Sequence, residues 1–196
     1  MVRHELGKWN LDELIKNPNR IIVDKKLTNI ESNAKKFGKN KKSLNQKIST
    51  GKFLKLLRGI ENIIEQSSLI GGYASLRYSE NTQSDEATSF LTRITKFNSD
   101  IENRLLFFDL WWKKQVDENN ARRLIKSAGQ FSEYLRFKRL LAKYSLSEPE
   151  EKIINTLDVT GASALVKLYD KITNAYVYTV TVDGKKRTMN REQLTT

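Results

Sequence analysis

Eight consecutive residues, Leu105-Leu106-Phe107-Phe108-Asp109-Leu110-Trp111-Trp112, contain one polar member and constrain this chain more than any other feature. Successive residues of an α-helix are rotated by about 100°, so a helix of this sequence is apolar on nearly every side and one neighbouring helix cannot cover it. It belongs at the centre of several packed elements. At eight residues it is too short to cross a membrane, which takes about 18 or more. The remaining residues offer few partners for it, and the expectation is that it is buried with help from a larger protein.

The chain has 196 residues, enough for one domain or one and a half. Hydrophobic residues at 38%, charged residues at 30% and only two prolines favour a folded, helix-rich chain over a disordered one. There is no cysteine and a single histidine, His4, which excludes disulfides, thiolate ligands and histidine cages for a metal. No catalytic, cofactor-binding or metal-binding residue is therefore assigned in this chain. Met1 to Leu11 lacks the apolar run of a signal peptide, and no segment reaches transmembrane length. A cytoplasmic protein without a membrane partner is expected.

The net charge of +12 is concentrated between Arg20 and Arg58, where twelve Lys and Arg face only Asp24 and Glu31. Such a stretch attracts phosphate backbones or anionic surfaces without specificity. Its only aromatics, Phe37 and Phe53, lie on apolar stripes and offer no stacking platform for bases. A solvated helical face is the favoured reading, and nucleic acid is disfavoured as a partner.

Trp9 to Leu14 reads as a short helix capped by Asn10 and ended by Pro18. Leu27, Ile30, Ala34 and Phe37 form the stripe of a basic helix from about Ile21, which loosens at Gly38 and resumes through Leu44 and Ile48. Phe53, Leu57, Ile60 and Ile64 mark a second helix from Thr50, which Gly71-Gly72 is expected to kink or break. After a turn at Ser79 to Ser84, with Ser84 as cap, the longest helix carries Phe90, Ile94, Phe97, Ile101, Leu105, Phe108 and Trp112. Its length is about 30 residues, roughly 45 Å. A polar turn at Asp117 to Asn120 leads to a helix from Ala121 to Tyr144, expected to pack antiparallel to the one before it.

Ser147-Glu148-Pro149-Glu150 is a sharp helix start, with Ser147 as cap, proline in the first turn and Glu150 completing a capping box. Capping and dipole compensation account for Glu148, Glu150 and Glu151 without an acid or base role. Gly71-Gly72 has no lysine-serine partner and makes no phosphate loop. A short helix to about Leu157 is followed by Thr160-Gly161 and a helix through Leu165, Leu168 and Tyr169. The period then changes. Ala175 to Val182 is β-branched and aromatic, Asp183-Gly184 suits a type I′ turn, and Lys185 to Met189 returns as a second strand. Asn190-Arg191-Glu192-Gln193 repeats a cap pattern just before Thr196, which reads as a helix start. The fold expected is mainly α, an antiparallel helical bundle over 1–145, with a helix pair, a C-terminal β-hairpin and the start of a helix over 146–196.

Several of these segments resemble the thimet oligopeptidase-like zinc metallopeptidases, and oligoendopeptidase F in particular. They are Trp9-Asn10-Leu11, Tyr73-Ala74-Ser75-Leu76-Arg77-Tyr78 followed by Asp85-Glu86-Ala87, and Tyr144-Ser145-Leu146-Ser147-Glu148-Pro149-Glu150-Glu151-Lys152-Ile153-Ile154. Thr160 to Leu165, Leu168-Tyr169-Asp170, the Val177 to Val182 strand, Asp183-Gly184 and Asn190 to Leu194 continue the likeness. The block Leu-Ser-x-x-Glu-Glu-Lys-Ile is its most specific part.

The resemblance implies the N-terminal helical region of a larger α-helical peptidase that hydrolyses short peptides, a region that lines the substrate channel. In that family H-E-x-x-H on a helix holds zinc and activates a water. His4, followed by Glu5-Leu6-Gly7, cannot receive those roles and reads as a surface histidine of a terminus. The chain alone is expected to be inactive and to hold no cofactor, zinc belonging to the parent enzyme. Its expected partners are the catalytic domain of the same protein and an oligopeptide. The alternative is a stand-alone basic helical module that binds nucleic acid or a protein.

Overall fold

A computed structural model describes residues 10–16, 18–191 and 194. The readings of His4, Trp9, Glu192 and Gln193 lie outside these residues. Asn10 does not cap a helix: its Oδ1 accepts the Asp12 N–H at 3.0 Å, and residues 12–14 form a turn. So short a segment gains too few hydrogen bonds to offset the cost of helix nucleation. Ile15 still anchors it in the core.

Helix α1 (Arg20–Gly38) begins at Asn19, whose Oδ1 accepts the Ile22 N–H at 2.9 Å. It buries Val23, Leu27, Ile30, Ala34 and Phe37, so the stripe read from the sequence is its core face. A 3-10 turn (Lys39–Ser43) follows, and residues 44–49 are irregular, so the expected resumption through Leu44 and Ile48 does not occur. That loop is fastened from elsewhere. Gln46 donates to the Gln115 carbonyl and accepts the Asp117 N–H at 3.1 Å, while Arg123 donates to the Ile48 carbonyl at 3.0 Å.

Helix α2 (Thr50–Glu80) runs through Gly71-Gly72 without interruption, contrary to the expected kink or break. The reason is close approach. A Cβ at Gly71 would stand 3.0 Å from the Asn98 amide nitrogen of the next helix, so packing there outweighs the cost of about 1 kcal/mol for a helical glycine. Ile63 rather than Ile64 is buried, and Ile64 is 47% exposed. Helix α3 (Asp85–Leu110) starts at Ser84, whose Oγ accepts the Ala87 N–H at 3.2 Å. It passes into a π-turn (Trp111–Gln115) that Val116 closes by donating to the Trp111 carbonyl at 3.1 Å.

The eight-residue apolar stretch occupies the end of α3 and the π-turn, and the chain itself covers it. Trp112 is only 1% exposed, so the expectation that these residues lack enough partners is corrected. Several elements share the task, as an all-round apolar surface demands. The Phe53 ring of α2 lies 5.3 Å from Trp112 and 6.2 Å from Phe108, and Phe37 of α1 lies 5.7 Å from Phe107. Aromatic pairs at such spacings add about 0.5–1.5 kcal/mol each to simple burial. The one polar member, Asp109, pairs with Lys113 at 2.5 Å and Lys138 at 2.9 Å.

The continuous helix expected over 121–144 is broken. Asp117 caps α4 (Glu118–Lys126), accepting the Asn120 N–H at 3.0 Å, so the supposed polar turn is a first helical turn. Gly129, at φ +55°, then diverts the chain through a 3-10 turn (Gly129–Phe131) into α5 (Ser132–Leu140) and another 3-10 turn (Leu141–Tyr144). An α-helix cannot continue through that backbone angle. Helix α3 packs chiefly on α1, α2 and a later helix, α6 (Glu148–Thr160), and the antiparallel packing expected with the following helix is replaced by α5 docking on the π-turn. Three hydrogen bonds make the dock. The Trp112 indole donates to the Leu135 carbonyl at 3.0 Å, and Arg139 donates to the carbonyls of Trp112 (3.1 Å) and Val116 (2.9 Å).

At the start of α6 the Glu150 carboxylate accepts the Ser147 N–H at 2.8 Å, the return half of a capping box, and also accepts the Ser147 hydroxyl at 2.6 Å. Helix α7 (Ala162–Asn174) follows, then strands β1 (Val177–Val182) and β2 (Lys185–Asn190), paired antiparallel with Val182 opposite Lys185. Asp183 and Gly184 have φ of 51° and 72°, the pair of positive angles that a type I′ turn needs. Asn190 pairs with Val177 at the end of β2, and Arg191 and Leu194 just after it are helical, as the expected helix start requires. The chain is thus mainly α with a C-terminal hairpin.

Three outcomes follow for stability. Arg139→Lys should cost about 1–3 kcal/mol in a urea titration, because an ammonium cannot reproduce the planar fork that serves two carbonyls. Gly72→Ala, where a Cβ meets nothing within 4 Å, should stabilise by about 0.5–1 kcal/mol, and Gly71→Ala should gain less or lose. Lys152 and Lys41 hold the Glu148 carboxyl below its usual range, and Ser147 does the same for Glu150. A lowered folded pKa gives stability that is present above the unfolded value of about 4.3 and is lost as pH falls through the folded one. Melting temperature should therefore drop on acidification below about pH 4.3, and less steeply in Glu148→Gln.

Candidate functional site

Where α5 crosses α2 and α3, the apolar surface dips into a hollow of about 380 Å³ lined by Leu57, Ile60, Ile64, Phe108, Phe131 and Tyr134. Glu61 and Glu65 stand at its edge because they follow Ile60 and Ile64 on the same helix. A second hollow of about 190 Å³ shares Ile60, Ile64, Phe108 and Tyr134 with the first and adds Glu102, Asp109, Lys138 and Asn155. Glu102 and Asn155 belong also to a third, of about 420 Å³, between α3 and α6, with Asn98, Ser99 and Asp158. The second hollow thus borders both of the others, the first being the most apolar and the third the most polar in its lining.

The electrostatics of these hollows follow from burial and from neighbours. Much of Glu102 meets solvent, yet desolvation of its carboxyl raises its pKa, and Asp158 adds like-charge repulsion. Burial raises the Tyr134 hydroxyl. Burial pulls Lys138 down more than any other single effect, but the Asp109 carboxylate outweighs it and the pKa ends raised. Lys138 is thus a charged partner already engaged with Asp109. Asn98 Oδ1 is buried without a hydrogen-bond partner among the described residues.

The basic window of the sequence forms a different feature. A cleft of about 760 Å³ between α1 and α2 is lined by Lys36, Lys52 and Lys55 with Asn33, Asn40 and Asn62. Phe37 and Phe53 are buried, so no exposed ring accompanies these lysines for base stacking. Glu148 is engaged with Lys41 (3.1 Å) and Lys152 (2.7 Å), and Glu151 accepts the Leu146 N–H at 2.8 Å, so capping and pairing account for the acids of that helix start. Among the described residues no group of three or more His, Cys, Asp or Glu side chains could hold a metal ion. No described helix is long and apolar enough to cross a membrane.

Helices α6 and α7 attach to the core through polar contacts. Ser99 donates to the Asn155 carbonyl at 2.9 Å, Asn155 to Asn103 at 3.0 Å, Tyr78 to the Lys167 carbonyl at 3.2 Å and Gln83 to the Lys171 carbonyl at 3.0 Å. Neither helix has a buried residue. Their larger apolar side chains point outward instead: Leu157, Leu165, Leu168 and Tyr169 are exposed, with Leu165 at 66%.

Sequence reasoning assigned no site residue, and these hollows went unseen. Their apolar lining depends on Ile64 and Tyr134 being exposed, and both sit on stripes that read as core faces. The adjacent pair Ile63-Ile64 carries no local signal of which one faces out, since other adjacent apolar pairs, such as Leu56-Leu57, are buried together.

Comparison with curated proteins and with solved structures gives no match. Residues 114–177, about one third of the chain, match the family described as Oligopeptidase F. The match runs from the π-turn through α4 to α7 and includes the Leu146 to Ile153 block, whereas Tyr73 to Tyr78 and Asp183-Gly184 lie outside it. Residues 114–177 thus carry the signature of the N-terminal region of an oligoendopeptidase F-like peptidase.

Proposed function

We propose that this chain is the N-terminal helical domain of an oligoendopeptidase F-like zinc metallopeptidase that hydrolyses short peptides in the cytoplasm. In this reading residues 1–145 form the scaffold, and residues 146–196 lead into a catalytic domain that carries H-E-x-x-H and zinc. The chain's contribution is one wall of the substrate channel. The observation that carries the reading is the outward apolar face of α6 and α7 inside the matched segment. Helices held to their own core by polar contacts, with leucines and a tyrosine turned away from it, have the pattern of a surface that another domain covers.

A second reading rests on the lysine-lined cleft between α1 and α2. It makes the chain a basic module that binds nucleic acid, and it requires an affinity that falls steeply with salt through counterion release.

Sequencing the encoding DNA past the Thr196 codon tests the main proposal. An H-E-x-x-H codon run further along the same frame is expected, and a frame that closes without one overturns it. The isolated chain should show no zinc-dependent peptide cleavage, and such cleavage would overturn the division of labour. It should bind a hydrophobic dye. Leu165→Lys with Leu168→Lys should reduce dye binding and aggregation while shifting stability by only about 0.5 kcal/mol per site, because neither side chain is packed.

A further inference from the structure

Helices α6 and α7 turn toward the core the side that a lone domain would leave in water. An amphipathic helix ordinarily faces its core with its apolar side. Here the half-buried residues include Lys152, Asn155, Ser163 and Lys167, while Leu157 is 61% and Leu165 66% exposed. Both helices are fastened to α2 and α3 by that polar side: Asn155 to Ser99 and Asn103, the Lys167 carbonyl to Tyr78, and Lys171 to Asp85 at 2.9 Å. Their apolar sides therefore look the same way, out from the core.

Those two sides join into one stripe. Gly161 separates the helices, but its N–H donates to the Leu157 carbonyl at 2.7 Å and its carbonyl accepts the Leu165 N–H at 3.0 Å, so a turn of helical hydrogen bonds carries across. Ile154, Leu157, Gly161, Leu165, Leu168 and Ile172 follow at three, four, four, three and four residues, the kind of spacing by which one helix seats another. Eight large apolar side chains of α6 and α7 are exposed and together offer roughly 800 Å², more than the largest patch usual on a monomer and about what each partner buries in a standard interface.

Charge favours one direction for a helix laid on this stripe. The first turn of α6 carries Glu148, Glu150 and Glu151, the last turn of α7 carries Lys171, and Lys185, Lys186 and Arg187 follow in the hairpin. An antiparallel copy sets each acidic start against a basic end and opposes the helix dipoles, whereas a parallel copy stacks like charges.

We propose that the chain pairs with a second copy of itself through this stripe, antiparallel about a two-fold axis between Gly161 and Leu165. Ile154 then lies opposite the partner's Ile172, and Leu165 lies over the partner's Gly161, where no side chain is in the way. A two-fold contact closes on itself, so association stops at two. The face is the one that the peptidase reading gives to a catalytic domain, so the two occupants exclude one another and self-association holds while that domain does not cover it. The coding frame decides that reading and sedimentation decides this one, so either can fail alone.

The test is sedimentation velocity of the full chain from about 0.1 to about 100 μM, since an apolar contact of this area without a polar network falls at the micromolar end of the usual range. A shift from monomer to dimer with rising concentration is expected, with no larger species. Leu157→Lys with Leu168→Lys, both at exposed positions, should raise the dissociation constant about a hundredfold or more with an unchanged circular dichroism spectrum, because four ammoniums would enter an apolar contact. The chain has no cysteine, so Ile154→Cys in one sample and Ile172→Cys in another report the direction. Mixed under oxidant, they should cross-link to each other far more than either does alone. A monomer at every concentration, growth past the dimer, a dimer that survives the double lysine variant, or cross-linking favoured within either sample alone would overturn the proposal.

Discussion

The hydrogen bond from the Trp112 indole to the Leu135 carbonyl joins the two halves of this molecule. A buried indole N–H without a partner is costly, and Trp112 is the largest fully buried side chain among the described residues, so α5 is held where its backbone can serve it. Arg139 reinforces the arrangement from the same helix. Its guanidinium lies 5.7 Å from the Trp112 ring and serves the carbonyls that the π-turn leaves without helical donors. With α5 fixed in this way, Tyr134 and Lys138, which flank Leu135, are set over α2 and α3, and the hollow they line exists as a consequence.

Much of the fold was legible in the sequence, for reasons that lie in local chemistry. The stripes Leu27 to Phe37 and Ile94 to Trp112 locate α1 and α3 because a helical period leaves a clear trace. Ser84, Ser147 with Glu150, and Asp183-Gly184 mark their caps and turn because few residues fit those backbone angles and donors. What failed depends on contacts distant in sequence. Gly71 is tolerated in α2 because Asn98 approaches it, and the break at Gly129 is stabilised by the dock of α5 on the π-turn. The burial of Trp111 and Trp112 was misjudged for the same reason: covering an all-round apolar helix takes three elements, and periodicity describes one element at a time.

The candidate site was less legible than the fold. Its apolar residues look like core residues in any one-dimensional reading, and nothing local separates the exposed Ile64 from the buried Ile63. The raised pKa of Glu102 comes from burial and from Asp158, and both are properties of three-dimensional neighbours. The family match, by contrast, falls where the sequence was most specific, on the capped start of α6 and the glycine that separates it from α7.

The absence of buried side chains in α6 and α7 has a thermodynamic meaning of its own. Local opening free energies follow the apolar surface that each element commits to the interior. The core of α1, α2 and α3 with the π-turn commits the most apolar surface, while α6 and α7, packed on without a fully buried side chain, belong toward the low end of local stability. A partner that covered their outward face would supply the apolar burial these helices lack within the chain, and so would raise their local stability toward that of the core.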